Sequence, residues 1–121
     1  MSVCLVVDDS RVIRKLAIRM LNDLEIETCE ARNGAEALKH CMTAMPDIIL
    51  LDWNMPILDG MGFLKRLRAM KVPVQPKVLF CTTESEFTRI SAAIAEGADE
   101  YIMKPFDEDV LASKLRLIDA I

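Results

Sequence analysis

Four short apolar segments of this sequence run directly into residues that could do chemistry together. Val3–Val7 leads into Asp8 and Asp9, and Ile48–Leu51 into Asp52. Val78–Cys81 leads into Thr82 and Thr83, and Tyr101–Met103 into Lys104 and Pro105. Each residue has an ordinary reading by itself. Asp8-Asp9-Ser10 reads as a helix cap, Asp52 as a strand-end turn residue, Thr82 as a loop residue and Lys104 as a solvated lysine. At successive strand ends they read differently. Three converging carboxylates repel one another, and a hard divalent cation such as Mg²⁺, which prefers oxygen ligands, offsets that repulsion. A lysine adds positive charge and a threonine hydroxyl adds a donor, so the set suits a dianionic phosphoryl group. A carboxylate can itself be the nucleophile and form an acyl phosphate. Asp52 is the better candidate, because it ends a wholly apolar run that should hold it rigidly. Asp8 and Asp9 are adjacent and suit a metal.

This placement requires strands whose carboxyl ends meet. The apolar runs lack polar alternation, as in parallel strands covered on both faces. A fifth, weaker run spans Ile26 to Glu30. Amphipathic stretches lie between the runs. Ile13, Leu16, Ala17, Met20, Leu21 and Leu24 share one helical face, and Leu38, Cys41, Met42 and Met45 share another. Phe63, Leu64 and Leu67 follow a turn at Asp59-Gly60. Phe87, Ile90 and Ile94 follow Ser85, an expected N-cap, and stop near Gly97. Leu111, Leu115 and Ile118 follow the N-cap candidate Asp107. A βα unit repeated five times predicts an α/β fold, a five-stranded parallel sheet with five helices divided between its faces. The strand order 2-1-3-4-5 is adopted as a common arrangement of such sheets, whose ligands bind beyond the carboxyl ends of the strands.

Composition narrows the function classes. A chain of 121 residues fits one domain, and 52% hydrophobic residues argue against disorder. The net charge of −4 and the lack of a basic stripe argue against direct nucleic-acid binding. No apolar run approaches the roughly 18 residues of a membrane span, and the N-terminus has no basic leader. A cytoplasmic protein is expected. Cys4, Cys29, Cys41 and Cys81 lack metal-ligand spacing and read as reduced core residues. His40, the single histidine, reads as a helix residue near the surface. The eight methionines read as core filling. Arg11, Arg14, Lys15 and Arg19 make a basic face on the first helix, read mainly as solvated, with kinase docking as the alternative.

The motifs VVDDSRVIRK (6–15), LLDWNMPILDG (50–60), TTESE (82–86) and YIMKPF (101–106), in this order, resemble the receiver domain of bacterial two-component response regulators. The resemblance covers essentially the whole chain, 1–121, as a single receiver domain of flavodoxin-like fold. DWNMP is most similar to chemotaxis-type, single-domain members. The resemblance implies that Asp52 accepts phosphate from a histidine kinase, a phosphotransfer domain or a small donor such as acetyl phosphate. It implies Mg²⁺ held by Asp8, Asp9, Asp52 and the backbone carbonyl of Asn54. Thr82 would move onto the phosphoryl oxygens, and Lys104 would bridge to them or to the empty carboxylate. Lys104-Pro105 would be a cis peptide. Tyr101, by itself a half-buried strand aromatic, would be a switch that rotates as Thr82 moves. That motion would reshape a docking face of helix four, strand five and helix five for an output protein. Asn54 and Glu84 would tune dephosphorylation, in a combination that implies fast self-dephosphorylation. Thr83 stands where the family often has Ala or Gly, and its bulk is expected to narrow access to the site.

The expected role is a phosphorylation-activated signalling switch, in chemotaxis or motility control. It is not an enzyme beyond catalysing its own phosphorylation and dephosphorylation. No effector domain follows Ile121, so output would pass through protein contacts. The alternative is a single-domain phosphate carrier or sink in a phosphorelay. A flavin-binding electron carrier fits poorly, because Asp8 and Asp9 would repel a flavin phosphate. An aspartyl-phosphate phosphatase needs an acid two residues after its nucleophile, where Asn54 stands.

Overall fold

A computed structural model describes residues 2–121, and of Glu84 the backbone alone. Five strands alternate with five helices: β1 Val3–Val7, α1 Arg11–Asp23, β2 Glu27–Ala31, α2 Gly34–Thr43, β3 Ile48–Asp52, α3 Gly60–Ala69, β4 Lys77–Thr82, α4 Ile90–Ala95, β5 Glu100–Met103 and α5 Glu108–Leu117. A 3₁₀ segment, Glu84–Arg89, precedes α4. All strand pairs are parallel, in the expected order β2-β1-β3-β4-β5. This is the flavodoxin-like fold expected from the sequence.

Side chains on a strand alternate between faces, so each central strand feeds two cores. Leu5, Val7, Ile49, Leu51 and Phe80 pack with Phe63, Leu64 and Leu67 of α3. Cys4, Val6, Ile48, Leu50, Leu79 and Ile102 pack with Leu21 of α1 and Leu111 and Leu115 of α5. Burying each large apolar side chain stabilises by roughly 1.5–3 kcal/mol. Burial on both faces is why β1, β3 and β4 read as unbroken apolar runs. β2 and β5 lie at the sheet edges, which accounts for the weaker run in β2.

Caps fix where the helices start. Ser10, Asn33, Asp59 and Asp107 each accept a bond from a backbone N–H of the first turn of α1, α2, α3 and α5. Gly97 ends α4 with φ +114°, a conformation that favours glycine. Three expectations about helices need correction. Thr83, not Ser85, begins the turn before α4, because Glu86 folds back onto it: the Thr83 N–H meets Glu86 Oε1 at 3.3 Å. Phe87 and Ile94 are exposed, as are Leu16 and Met42, so these positions are not core despite their helical spacing. Arg14 is buried, not solvated. It donates to the Asp8 carbonyl at 2.7 Å and to Glu30 at 2.8 Å, tying α1 to the end of β1.

All four cysteines are free, with Cys29 half-buried and the others buried. Burial pushes the thiols of Cys4 and Cys81 far up and that of Cys41 up to about 11, so they stay protonated near neutral pH. Among the described residues, no helix is long and apolar enough to cross a membrane.

Candidate functional site

The neighbouring interior strands β1 and β3 end side by side. Val7 pairs with Leu51 in the sheet, so Asp8, Asp9 and Asp52 emerge together at one edge. Asp52 takes the parity of Ile48 and Leu50, and its backbone remains in β3 beside Cys81 of β4. Asp8 and Asp52 are 4% and 7% exposed, whereas Asp9 is open to solvent. Carboxylate oxygens of the three residues lie within 4.8 Å of one another.

Lys104 arrives from the end of β5. Its backbone N–H donates to the Thr82 carbonyl at 2.7 Å, which anchors the β5–α5 loop to β4. The Lys104–Pro105 peptide is cis. The Lys104 ammonium bridges the two buried carboxylates, 2.7 Å from Asp52 Oδ1 and 3.0 Å from Asp8 Oδ2. Burial pushes the Asp52 carboxyl above its ordinary range, and Asp8 adds to this. The hydrogen bond and charge of Lys104 recover only part of the shift. For Lys104, burial pulls downward, but Asp52 and Asp8 outweigh it and the ammonium is held above its ordinary value. One cation therefore faces more negative charge than it neutralises. Clustered carboxylate oxygens of this kind are the donor set a hard cation such as Mg²⁺ takes, so the residues present fit that ion. Asp8, Asp9 and Asp52 are its side-chain ligands in such a fit.

The remaining candidates lie around this cluster. Thr82, fully buried at the end of β4, donates its hydroxyl to the Thr83 carbonyl at 3.2 Å. Tyr101 is half-buried on β5. Its ring meets Phe87 edge-on at 6.3 Å between centroids, and the Lys114 ammonium lies 4.2 Å over it. Asn54 is exposed, and its amide bonds to Glu86 and to Arg89. The Glu84 side chain lies outside the described residues. His40 lies on α2, with no place in the site.

Sequence reasoning missed three contributors. Arg14 holds the Asp8 carbonyl, Glu86 holds Asn54, and Gly60 lets α3 begin against β3. A Cβ on Gly60 would collide with the Asp52 carbonyl oxygen, and the Gly60 N–H donates to the Trp53 carbonyl at 2.9 Å. Gly60→Ala must therefore displace the backbone that carries Asp52. It is expected to cost about 1–3 kcal/mol in thermal or urea unfolding and to slow any reaction at Asp52. An Ala variant with wild-type stability and reactivity would show that the backbone yields without cost. Glu86 had a local signal, the spacing Thr83-Glu84-Ser85-Glu86 of a capping box, and Gly60 had the Asp59-Gly60 turn, which did not reveal its approach to Asp52; Arg14 had none.

Comparison with known proteins agrees with this fold. Residues 4–116 match the response regulator receiver domain family. The chain is similar to chemotaxis protein CheY4 of Vibrio cholerae, at 33% identity and TM-score 0.89 over 98% of both chains. It is also similar to the receiver domain of a Francisella response regulator, at 30% identity and TM-score 0.86, over 98% of this chain and 96% of that one. A third likeness is to the signal receiver domain of a histidine kinase from Syntrophus aciditrophicus, at 28% identity and TM-score 0.87, over 99% of this chain and 91% of that one. The chain belongs to the response regulator receiver domain family.

Proposed function

We propose that this chain is a phosphorylation-activated switch whose phosphoacceptor is Asp52. The supporting observation is the Lys104 ammonium bridging Asp52 and Asp8 beside a cluster of three carboxylates. An Asp52 oxygen attacks the phosphorus of a phosphohistidine or of acetyl phosphate. The new P–O bond forms as the bond to imidazole nitrogen or acetate oxygen breaks, and the leaving group keeps that electron pair. Mg²⁺, held by Asp8, Asp9, Asp52 and the Asn54 backbone carbonyl, would neutralise charge on the transferred oxygens. Lys104 shifts from the carboxylates to the phosphoryl group, and Thr82 gives up the Thr83 carbonyl to donate there. Hydrolysis returns the carboxylate, with Asn54 and Glu84 tuning its rate. The chain turns over no external substrate beyond this cycle.

Output would follow from the motion of Thr82. Tyr101 moves as Thr82 turns, and Phe87, packed on Tyr101, moves with it. Phe87 and Ile94 are exposed, and Phe87 lies against Tyr101 of β5; an output protein would dock on the face of α4, β5 and α5. The likeness to a Vibrio cholerae chemotaxis protein supports a chemotaxis or motility role. Arg11, Lys15 and Arg19 are exposed on α1, and the kinase would dock there in the alternative reading of that basic face. The likeness to a receiver domain of a histidine kinase favours a second reading, a phosphate carrier or sink.

The test measures intact mass after acetyl phosphate with and without Mg²⁺, then partner binding with and without the adduct. A Mg²⁺-dependent phosphoryl adduct, with an output partner preferring the phosphorylated form, supports the switch. An adduct that passes to a histidine domain while no partner discriminates supports the carrier. No adduct from acetyl phosphate or from a phosphorylated kinase would end both readings.

A further inference from the structure

Two loops border Asp52, and one carboxylate joins them. Asn54 follows β3 and Thr83 follows β4. Glu86, on the 3₁₀ segment, accepts from the side-chain amide of Asn54 and from the Thr83 backbone N–H at 3.3 Å. It also bonds the Thr83 hydroxyl at 3.0 Å. Arg89 closes the ring. Its Nη1 lies 3.3 Å from Asn54 Oδ1 and 3.5 Å from Glu86 Oε2, and its guanidinium stands 4.7 Å over the Trp53 ring. The Glu86 side chain is 12% exposed, so this carboxylate is shielded in a way that ordinary surface ion pairs are not.

The ring reaches the reacting end of the site through Thr82. The Thr82 hydroxyl donates to the Thr83 carbonyl, and Thr83 is held at both its N–H and its hydroxyl by Glu86. Both ends of the Asn54 amide are occupied by Glu86 and Arg89 as well. A turn of Thr82 toward a phosphoryl group breaks its bond to the Thr83 carbonyl, and so loosens the residue that Glu86 holds.

We infer that Glu86 and Arg89 form a latch across Asn54 and Thr83 that holds the chain in its unphosphorylated arrangement. Both are positioning residues that act through Thr83 and Asn54. The inference rests on Asp52 being the phosphoacceptor. Contacts made in one arrangement and lost in the other favour the first, so the latch lowers the affinity of the site for a phosphoryl group. Removing it raises that affinity.

The experiment titrates the full chain, in saturating Mg²⁺, with beryllofluoride, which mimics a phosphoryl group on a carboxylate. Binding is read from Trp53, the only tryptophan, and independently by fluorine NMR, since Arg89 touches the Trp53 ring. Glu86→Ala and Arg89→Ala are each expected to bind roughly 3- to 10-fold tighter, the effect of removing a few net hydrogen bonds from one state. Glu86→Gln keeps acceptor oxygen and loses the charge, so it falls between wild type and Glu86→Ala. The double variant is expected to bind no more than about 2-fold tighter than Glu86→Ala, because both residues act through one ring. Damage to the fold weakens binding, so tightening cannot arise from damage. Variants that bind as wild type does, or more weakly, overturn the latch. A wild type that takes neither beryllofluoride nor an acetyl phosphate adduct overturns the phosphoacceptor reading, and the latch with it.

Discussion

Asp52→Asn is expected to take no phosphoryl group from acetyl phosphate under conditions in which the wild type gains one per chain. The amide lacks the anionic oxygen that attacks phosphorus, so the adduct should fall by at least about 10³-fold and drop below detection by intact mass. The change keeps shape, and Lys104 retains Asp8 and an Asn oxygen as partners, so the fold should persist. Stability has a definite direction too. Burial raises the Asp52 carboxyl above its ordinary value. The folded chain therefore binds the Asp52 proton more tightly than the unfolded chain. On account of this group, stability falls as pH rises above the unfolded carboxylate range. Asn removes that penalty. In Mg²⁺-free buffer at neutral pH, Asp52→Asn is expected to melt no lower than wild type, and the difference should vanish in acid. An unchanged adduct in the variant would move the phosphoacceptor elsewhere. A melting point far below wild type would mean that Asp52 stabilises the fold through Lys104 more than its burial costs.

The sheet and the cluster were legible in the sequence for one physical reason. β1, β3 and β4 are covered on both faces, so their runs are continuous, and the polar residue that ends each run marks where the sheet stops. Asp8, Asp52, Thr82 and Lys104 were therefore placed by pattern, and the structure brings Asp8, Asp52 and Lys104 into contact. What stayed hidden depends on pairs far apart in the chain. Arg14 looks like any other basic residue of α1 until Glu30 and the Asp8 carbonyl stand opposite it. Asn54 and Glu86 are separated by 32 positions, so nothing local told Asn54 which side chain it would meet. The region around α4 failed in another way. Phe87 and Ile94 have helical spacing, but the six-residue helix entered through a 3₁₀ segment turns Ala93, not these two residues, into the core. Periodicity finds an apolar stripe and cannot say whether the protein's own core or a partner covers it.

Lys104→Met should separate the two tasks of the lysine, neutralising the empty site and engaging the phosphoryl group. Removing the cation leaves Asp8 and Asp52 buried side by side. Breaking a buried ion pair from one side costs about 3–5 kcal/mol. Lys104 retains 18% side-chain exposure, so screening brings the expectation to the low end, roughly 3 kcal/mol, or a fall of about 10 °C in Tm. The sign follows from the shift. The folded ammonium is held above its ordinary value of 10.5, so its contribution is fully present below that pH and is lost only as pH rises through the folded value. The deficit should thus be flat around neutral pH and shrink in acid, as the Asp52 carboxyl takes up a proton. Mg²⁺ should behave in the opposite sense. Without the competing ammonium, the three-carboxylate cluster should bind Mg²⁺ at least about 10-fold more tightly, because a nearby positive charge has gone. Saturating Mg²⁺ would then restore much of the lost Tm. The variant should still accept a phosphoryl group on Asp52, while partner affinity no longer responds, because nothing draws the β5–α5 loop onto the phosphoryl oxygens. Equal Mg²⁺ affinity in wild type and variant would show that Lys104 does not compete for the cluster. An intact partner response would place the coupling in Thr82 alone.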